Sequence, residues 1–175
     1  IRLRLNDEEV ARFAVNRYRF PGVEINARLF RRYPLGQRAA HVLGYIGRIN
    51  DKDLQDLETR EESSNYRGSD HIGKVGIEKS YEKQLHGVTG FEEVETDAGG
   101  RALRSLKRNE ATSGSDVVLT IDIKLQEVAE TVFAERRGAL VAIDPRNGEV
   151  LALVSGPTYD PNLFIDGIDQ ANWDA

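Results

Sequence analysis

Helical spacing of apolar residues is the clearest pattern in the chain. Ile77, Tyr81 and Leu85 recur every four residues, and Gly87 follows them where a helix would end. A second helix face, at i, i+3, i+4, i+7 and i+8, consists of Leu125, Val128, Ala129, Val132 and Phe133. Both segments are therefore predicted to be helices that pack through one apolar side.

Capping residues predict where other helices begin. Asn6 and Glu9 form a capping-box pattern, so a helix is predicted to start there and to end before Pro21. Asn50 and Asp53 predict a further short helix. For the helix of residues 125–133, the predicted cap is Thr120 or Asp122.

Alternating and apolar runs predict the extended segments. Residues 23–29 alternate apolar and polar positions, which indicates a half-buried strand. Residues 91–96 and 103–108 flank a glycine turn and are predicted to form a polar hairpin or a pair of extended arms. The apolar runs 139–143 and 150–154 are joined by a Pro- and Asn-Gly-containing turn, which predicts an antiparallel hairpin that must be covered on both faces.

These elements predict an α+β protein with two domains. The polar run 58–67 holds too few apolar residues to pack and is predicted to be a mobile loop. After residue 112 the composition changes from polar elements to much more buried ones, so a domain boundary is predicted between 1–112 and 113–175. The predicted domain of residues 113–175 has one helix to cover its hairpin, so it is expected to be incomplete within this chain. The chain as a whole is expected to be an excised fragment.

Charge and composition exclude several function classes. The chain has 175 residues, with 24 Lys and Arg against 29 Asp and Glu, and its net charge of −5 argues against a general nucleic-acid binder. It contains no cysteine, and its apolar runs fall far short of the roughly 20 residues that cross a bilayer. His41, His71 and His86 lack metal-ligand spacing, so no metal site and no cofactor are expected.

Three short motifs have functional and ordinary interpretations. Ser80 and Lys83 match the S-x-x-K pair of acyl-transfer enzymes, but the pattern is short and Ser80 lies within the predicted helix. Residues 68–74 match the glycine and lysine spacing of a phosphate-binding loop, but Val75 follows where Ser or Thr is needed. A basic patch, interpreted as an anion surface or as internal ion pairs, consists of Arg28, Arg31, Arg32 and Arg38.

Three blocks of residues resemble the penicillin-binding protein 2 family, the elongation-specific class B penicillin-binding proteins. The first block comprises Arg32-Tyr33-Pro34-Leu35-Gly36 and residues 39–47. The second comprises Gly73-Lys74-Val75-Gly76-Ile77-Glu78 with Tyr81-Glu82, Leu85 and Gly87. The third comprises Leu119-Thr120-Ile121-Asp122, Leu125-Gln126, Arg137-Gly138-Ala139, Asp144-Pro145, residues 148–152 and Asp160-Pro161-Asn162. The blocks occur in family order and span nearly the whole chain.

The resemblance implies a pedestal of short strands, hairpin arms and short helices, followed by the edge of an incomplete transpeptidase domain. The parent protein would be a penicillin-binding D,D-transpeptidase that crosslinks peptidoglycan during cell elongation and maintains cell shape. The family's catalytic S-x-x-K, S-x-N and K-[ST]-G would follow residue 175, so no catalytic residue is expected here. The parent would act in the periplasm, held in the inner membrane of a Gram-negative bacterium by an anchor that precedes residue 1.

The resemblance also implies partners and framework residues. The expected partners are an MreC-type scaffold protein, a RodA-type glycosyltransferase and the protein's own catalytic domain, with no nucleic acid. The structural or interface residues are expected to be Arg32, Tyr33, Pro34, Gly36, His41, Gly44, Tyr45, Gly73, Gly76, Glu78, Tyr81, Glu82, Leu85 and Arg101. Glu78 is hypothesised to pair with Arg32 or Arg101.

Three functions stay open at this point. The leading hypothesis is a non-catalytic scaffold and interaction module. Its candidate contact residues, if exposed together, are Tyr18, Phe20, Phe30 and Tyr45. The alternatives are an acyl-transfer enzyme that uses Ser80 and Lys83, and a structural spacer without a partner.

Overall fold

The computed structural model describes residues 5–26, 29–99, 102–134 and 136–173. The chain separates into two compact units, residues 1–31 and 32–175. The helices are α1 Asp7–Asn16, α2 Ala40–Leu43, α3 Asp51–Thr59, α4 Gly76–Ser80, α5 Glu82–His86, α6 Ile123–Phe133 and α7 Gln170–Trp173. The strands are β1 Ile46–Arg48, β2 His71–Gly73, β3 Phe91–Thr96, β4 Ala102–Asn109, β5 Gly138–Ile143 and β6 Val150–Gly156. Helices and short antiparallel strand pairs are mixed, which confirms the α+β prediction.

The first unit contains α1, which begins where the sequence predicts. The Asn6 side chain accepts from the Glu9 N–H at 2.8 Å, and the Glu9 carboxylate accepts from the Asn6 N–H at 3.0 Å. The chain continues through a 3₁₀ turn and leaves the helical conformation before Pro21. The rings of Phe13 and Phe20 stack at 6.0 Å, yet no residue of α1 is buried within this unit.

The strand predicted over residues 23–29 is wrong for the described residues. Residues 23–26 and 29 belong to no strand, while Ala27 and Arg28 lie outside the part that the structure describes. Alternation predicts a strand only when one face is covered, and here Val23 and Ile25 are 49% and 38% exposed.

In the second unit β1 and β2 pair antiparallel, with Gly47 opposite Ile72. The predicted loop 58–67 is wrong, because α3 extends to residue 59 and a 3₁₀ turn spans Ser63–Tyr66. Tyr66 is 8% exposed, and its ring stacks on His86 at 4.2 Å. The buried ring of Tyr66 therefore helps to fix this polar segment.

The predicted helix around Ile77 and Leu85 is divided at Tyr81. That residue has φ −113° and ψ 20°, outside the helical region, so two five-residue helices, α4 and α5, follow one another. Gly87, at φ 73°, ends the second helix as predicted.

The two predicted hairpins are confirmed as β3–β4 and β5–β6. Helix α6 begins at the Asp122 cap and packs against β6, where Ala129 contacts a small core with Ala152 and Val154. The fully buried polar side chain of α6 is Gln126, which donates to and accepts from the Leu153 main chain at 2.8 Å. It occupies the edge of β6 as a neighbouring strand would.

The apolar face predicted for α6 is only partly buried. Its exposed members are Leu125, Val128 and Val132. The hairpin strand β5 likewise exposes Val141 and Ile143. Within the described residues, the hairpin is thus covered on one face alone.

Candidate functional site

Tyr33 and Asn162 hold distant parts of the second unit together. The Asn162 side chain accepts from the Tyr33 N–H at 3.0 Å and donates to the Tyr33 carbonyl at 2.9 Å. The Tyr33 hydroxyl accepts from the Ile46 N–H at 3.0 Å, and the tyrosine is 5% exposed. One buried residue therefore links the start of β1 to the segment that follows β6.

We call residues 157–165, which follow β6, the strap. His41 Nε2 donates to the Pro157 carbonyl at 3.0 Å, and His71 Nε2 donates to the Ile165 carbonyl at 2.7 Å. A carbonyl only accepts, so both histidines carry their proton on Nε2 in these bonds. Both ends of the strap are thus bound by residues that precede α4.

An aromatic cluster fills the middle of the strap contact. The rings of Tyr45 and Phe164 stack at 4.2 Å, and Tyr159 meets each of them edge-on at 5.9 and 5.4 Å. His41 adds a further edge contact with Tyr159 at 5.0 Å. Burial, and secondarily Tyr45, raise the pKa of the Tyr159 hydroxyl, which donates to the Ala40 carbonyl at 3.1 Å.

A second contact joins the turn before α2 to helix α6. Arg38 forms ion pairs with Glu127 at 2.7 Å and Glu130 at 3.8 Å. Glu130 also accepts from the Ala39 N–H at 2.8 Å. Ala39 has φ 53°, a left-handed conformation that a non-glycine residue adopts at a cost, and the Glu130 bond stabilises it. Arg38 thus makes the internal ion pairs that were one interpretation of the basic patch.

Two predicted glycines allow the backbone to come close. A Cβ on Gly44 would lie 1.9 Å from the Val75 carbonyl oxygen, and one on Gly76 would lie 2.7 Å from the Val42 oxygen. Both have positive φ, at 76° and 64°. Neither position accepts a larger residue without backbone movement.

Glu82 fixes the end of β2. Its carboxylate accepts from the Gly73 N–H at 2.8 Å and from the Tyr66 hydroxyl at 3.0 Å. Burial, with the Glu82 charge nearby, raises the pKa of Tyr66 well above its usual range, so the tyrosine remains a donor. A Cβ on Gly73 would lie 2.2 Å from the Glu78 oxygen, which explains the glycine there.

Lys74 and Asp53 form an ion pair with side chains that are 18% and 21% exposed. Burial opposes the charge of Asp53, but hydrogen bonds from Lys74 and the Asn50 main chain outweigh it and lower the pKa of Asp53. Lys74, the lysine of the phosphate-loop-like motif, is therefore ion-paired with Asp53 of α3. Gly73, which precedes it, lies in β2.

Ser69, His86 and Asn65 are arranged in a line. Ser69 Oγ lies 3.0 Å from His86 Nε2, and Asn65 Nδ2 lies 3.3 Å from His86 Nδ1. Asn65 donates to the Gly87 carbonyl and accepts from the Thr89 N–H, which sets its amide orientation. Its NH₂ group therefore faces Nδ1, which also lies 3.4 Å from the Gly87 carbonyl oxygen. These contacts tie the segment before β2 to the end of α5.

This cluster borders a shallow surface depression of about 430 Å³. Its lining includes the hydroxyl side chains of Ser69, Thr89, Thr112 and Ser113.

The S-x-x-K pair does not form a nucleophile site. Ser80 is the exposed last residue of α4, whereas Lys83 belongs to α5 beyond the break at Tyr81. Lys83 Nζ forms an ion pair with Glu62 at 3.0 Å. The geometry gives no support to acyl transfer by this pair.

The other predicted framework residues differ in their burial. Glu78 is 5% exposed in the first turn of α4, Leu85 is half-buried and Tyr81 is 42% exposed. Arg32 and Pro34 are exposed. Arg101 lies outside the described residues, so the pairing of Glu78 with Arg32 or Arg101 stays a prediction. Gly36 has a positive φ of 58°.

Two absences concern the described residues only. They contain no group of three or more His, Cys, Asp or Glu side chains that could hold a metal ion. Across the same ranges, no helix has the length and apolar character needed to cross a bilayer.

The residues that sequence reasoning missed are chiefly the partners in the strap and α6. Asn162, Tyr159 and Glu130 make contacts about 90 to 130 residues away along the chain. Asn162 belongs to one of the motifs that indicated the family resemblance. The motif does not show that the Asn162 side chain bonds to Tyr33, because that residue lies 129 positions earlier in the sequence.

Comparison with known proteins identifies the class of this fold. Residues 1–119 match the model of the penicillin-binding protein dimerisation domain, and the chain belongs to that family. The resemblance seen in the three sequence blocks is thereby confirmed.

The relatives are longer proteins. The chain is 50% identical over all 175 residues to the peptidoglycan D,D-transpeptidase MrdA of Escherichia coli K12, and 49% identical over 173 residues to MrdA of Acinetobacter baumannii. It covers 28% and 25% of those two proteins, so it corresponds to a minor part of their length.

Solved structures of penicillin-binding protein 2 have the same fold. The chain superposes on that protein in its complex with MreC from Helicobacter pylori with a TM-score of 0.80 and 31% identity, covering 97% of this chain and 31% of that one. The match to the Pseudomonas aeruginosa protein bound to WCK 5153 has a TM-score of 0.69 and 43% identity, covering 86% and 29%. The predicted pedestal architecture is confirmed.

Proposed function

We propose that this chain is the scaffold and interaction module of a peptidoglycan D,D-transpeptidase that acts in cell elongation. The observation that carries the proposal is the similarity, over 97% of the chain, to penicillin-binding protein 2 in a complex with MreC. The longer polypeptide would crosslink stem peptides and bind penicillin through residues outside 1–175. It would work in the periplasm of a Gram-negative bacterium, held at the inner membrane by a separate anchor.

The strap contact supports a scaffold role. In this proposal residues 1–112 form the pedestal and residues 113–175 begin the transpeptidase domain. Tyr33, His41 and His71 of the pedestal would then bind the strap of the second domain. Buried hydrogen bonds of this kind fix one geometry, because leaving a partner unmade costs about 1–3 kcal/mol.

The predicted framework residues would have roles in this joint. Tyr33, His41 and Tyr45 would hold the strap, while Gly44, Gly73 and Gly76 would permit the close backbone approaches beneath it. The remaining members of that set, including Arg32, Pro34, Gly36, Glu78, Tyr81, Glu82 and Leu85, would stabilise the pedestal itself.

The first unit offers a surface for the MreC-type partner. Val15, Tyr18 and Leu29 are exposed by 76%, 82% and 104% within the described structure. Large exposed apolar side chains of this kind are typical of protein interfaces. A RodA-type glycosyltransferase is the second proposed partner, through the longer polypeptide.

Calorimetric titration with the periplasmic part of an MreC-type protein tests this function. Saturable binding at roughly micromolar strength or tighter, about 8 kcal/mol, is expected. Tyr18→Ala should weaken it about tenfold or more, because aromatic anchors dominate interface energies. The matched control is Val118→Ala, since Val118 is 93% exposed but lies in the second unit. An absence of binding heat would favour the spacer without a partner.

Labelling with a fluorescent penicillin tests the enzymatic alternative. The longer polypeptide should be labelled, whereas the 175-residue chain should not. Stable labelling of the chain that disappears in Ser80→Ala would overturn the scaffold proposal in favour of acyl transfer.

A further inference from the structure

The β3–β4 ribbon is exposed on both faces. All six residues of β3 are exposed, and four large apolar side chains of the ribbon are between 42% and 63% exposed: Phe91, Val94, Leu103 and Leu106. Within the described residues, no further strand pairs with either edge. A two-stranded ribbon of this kind is marginally stable in water, and a third strand is the usual remedy.

The two edges of the ribbon differ in regularity. The register shifts between Glu93 and Val94 and again between Glu95 and Thr96. At each shift β4 contains one residue more than β3, and the extra residues are Leu106 and Leu103. Bulges interrupt and twist an edge, so β4 is a poor template for a new strand. The continuous edge is that of β3.

The two edges also differ in charge. Strand β3 contains Glu92, Glu93 and Glu95, whereas β4 contains Arg104, Lys107 and Arg108. These charges lie opposite one another, but only the pair of Arg104 and Glu95, at 2.5 Å, is in ion-pair contact. Glu92 and Glu93 therefore retain carboxylates that a strand on the outer side can contact.

A second copy of the chain does not fit this edge. If two β3 strands paired antiparallel, every register centred between residues 92 and 95 would place a glutamate opposite another glutamate or Asp97. Like charges directly opposite each other destabilise a strand pair. The acidic edge thus excludes symmetric self-pairing and selects a basic strand.

We propose that the outer edge of β3 pairs with a third strand of basic character, supplied by the same polypeptide from outside residues 1–175. The length of the relatives supports this source, because the 175 residues cover only 28% of the Escherichia coli protein. A permanent strand from the same polypeptide also removes the lasting instability of an isolated ribbon, whereas a transient partner would not.

Hydrogen exchange of the longer polypeptide, resolved to single amides by fragmentation, tests the proposal. Alternate β3 amides, those that point away from β4, should exchange about 100-fold or more slower than amides of the turn at residues 97–99. The diagnostic variant exchanges charges across the ribbon, with Glu92→Lys, Glu93→Lys, Lys107→Glu and Arg108→Glu. It keeps the opposite charges within the ribbon but makes the outer edge of β3 basic.

The exchanged variant should lose protection at the outward β3 amides and keep it at the amides that bond to β4. The control variant Glu58→Lys, Glu61→Lys, Lys52→Glu and Arg60→Glu makes the same four exchanges, with no change of net charge, at exposed positions of α3 and the turn after it, and should keep both. Outward β3 amides that exchange as fast as the turn would overturn the proposal. So would protection that survives the charge exchange, or protection that appears only when another protein is added.

Discussion

Asn162 makes a two-way pair with the main chain of Tyr33, a residue 129 positions earlier in the sequence. Its amide reproduces the hydrogen bonding of a neighbouring strand, since one oxygen accepts and one nitrogen donates. Asp160 accepts from the same amide nitrogen at 2.8 Å and fixes its orientation. A single side chain thus joins the segment before α2 to the strap.

Asn162→Ala is expected to destabilise the chain by about 2–3 kcal/mol, because it leaves the N–H and carbonyl of Tyr33 without these partners. For a chain of this size the melting temperature should fall by roughly 4–12 °C. Thermal unfolding followed by circular dichroism measures the change. The control is Asn109→Ala, at an exposed strand position. Equal melting of both variants would mean that the pair contributes nothing to stability.

The contact of Gly44 with Val75 predicts a strong effect of one methyl group. Gly44→Ala would place Cβ 1.9 Å from the Val75 oxygen at a residue with φ 76°, so the backbone must move. We expect a loss of more than about 3 kcal/mol, well above typical single substitutions. Gly68→Ala is the control, since Gly68 has φ 87° but nothing within 4 Å of its added Cβ. It should show only the backbone cost of about 1–2 kcal/mol.

Denaturant unfolding distinguishes the contribution of the Cβ clash with Val75 from that of the positive φ. If Gly44→Ala and Gly68→Ala lose the same free energy of unfolding, the positive φ alone explains the need for glycine at position 44. The close approach of Gly44 to Val75 would then contribute nothing to the loss.

Local features of the fold could be predicted from sequence because their partners are sequence neighbours. The caps at Asn6, Asn50 and Asp122 each bond a main-chain N–H two or three residues away. Hairpin turns are equally local, and both predicted hairpins are present.

Features that depend on distant partners could not be predicted. Periodicity placed the buried face of α6 on Leu125 and Val128, but the β6 edge selects Gln126 instead, because that side chain satisfies the Leu153 main chain. Likewise, residues 58–67 lack apolar periodicity, and their order comes from Tyr66 stacking on a later helix. The strap partners were hidden for the same reason.

Glu61 offers a stabilising substitution. It is exposed, and its φ of 59° is a left-handed conformation that disfavours any side chain. Glu61→Gly should therefore raise stability by about 0.5–1 kcal/mol, or roughly 1–4 °C in melting temperature. The matched control is Glu58→Gly within α3, which should lower stability by about 1 kcal/mol because glycine is a poor helix former. A melting temperature that falls in both variants would contradict the strain at Glu61.

The ion pair of Lys74 with Asp53 predicts a pH-dependent stability. The pKa of Asp53 is lowered from 3.8 in the folded chain, so its contribution is present in full above that value. It is lost as the pH falls through the lowered pKa, when the carboxylate is protonated. Lys74→Met removes the partner, and at pH 7 it should cost about 1–3 kcal/mol.

The pH profile separates this ion pair from a packing effect. The difference in melting temperature between the wild-type chain and Lys74→Met should be large at pH 7 and should shrink as the pH falls through the lowered pKa of Asp53, because both chains then come to carry a protonated Asp53. Lys52→Met, at an exposed position on the same helix as Asp53, is the control and should match the wild type throughout. A difference that stays constant with pH would show that Lys74 stabilises the chain through its aliphatic stem, which packs on Gly47, and that the charge of Asp53 contributes nothing.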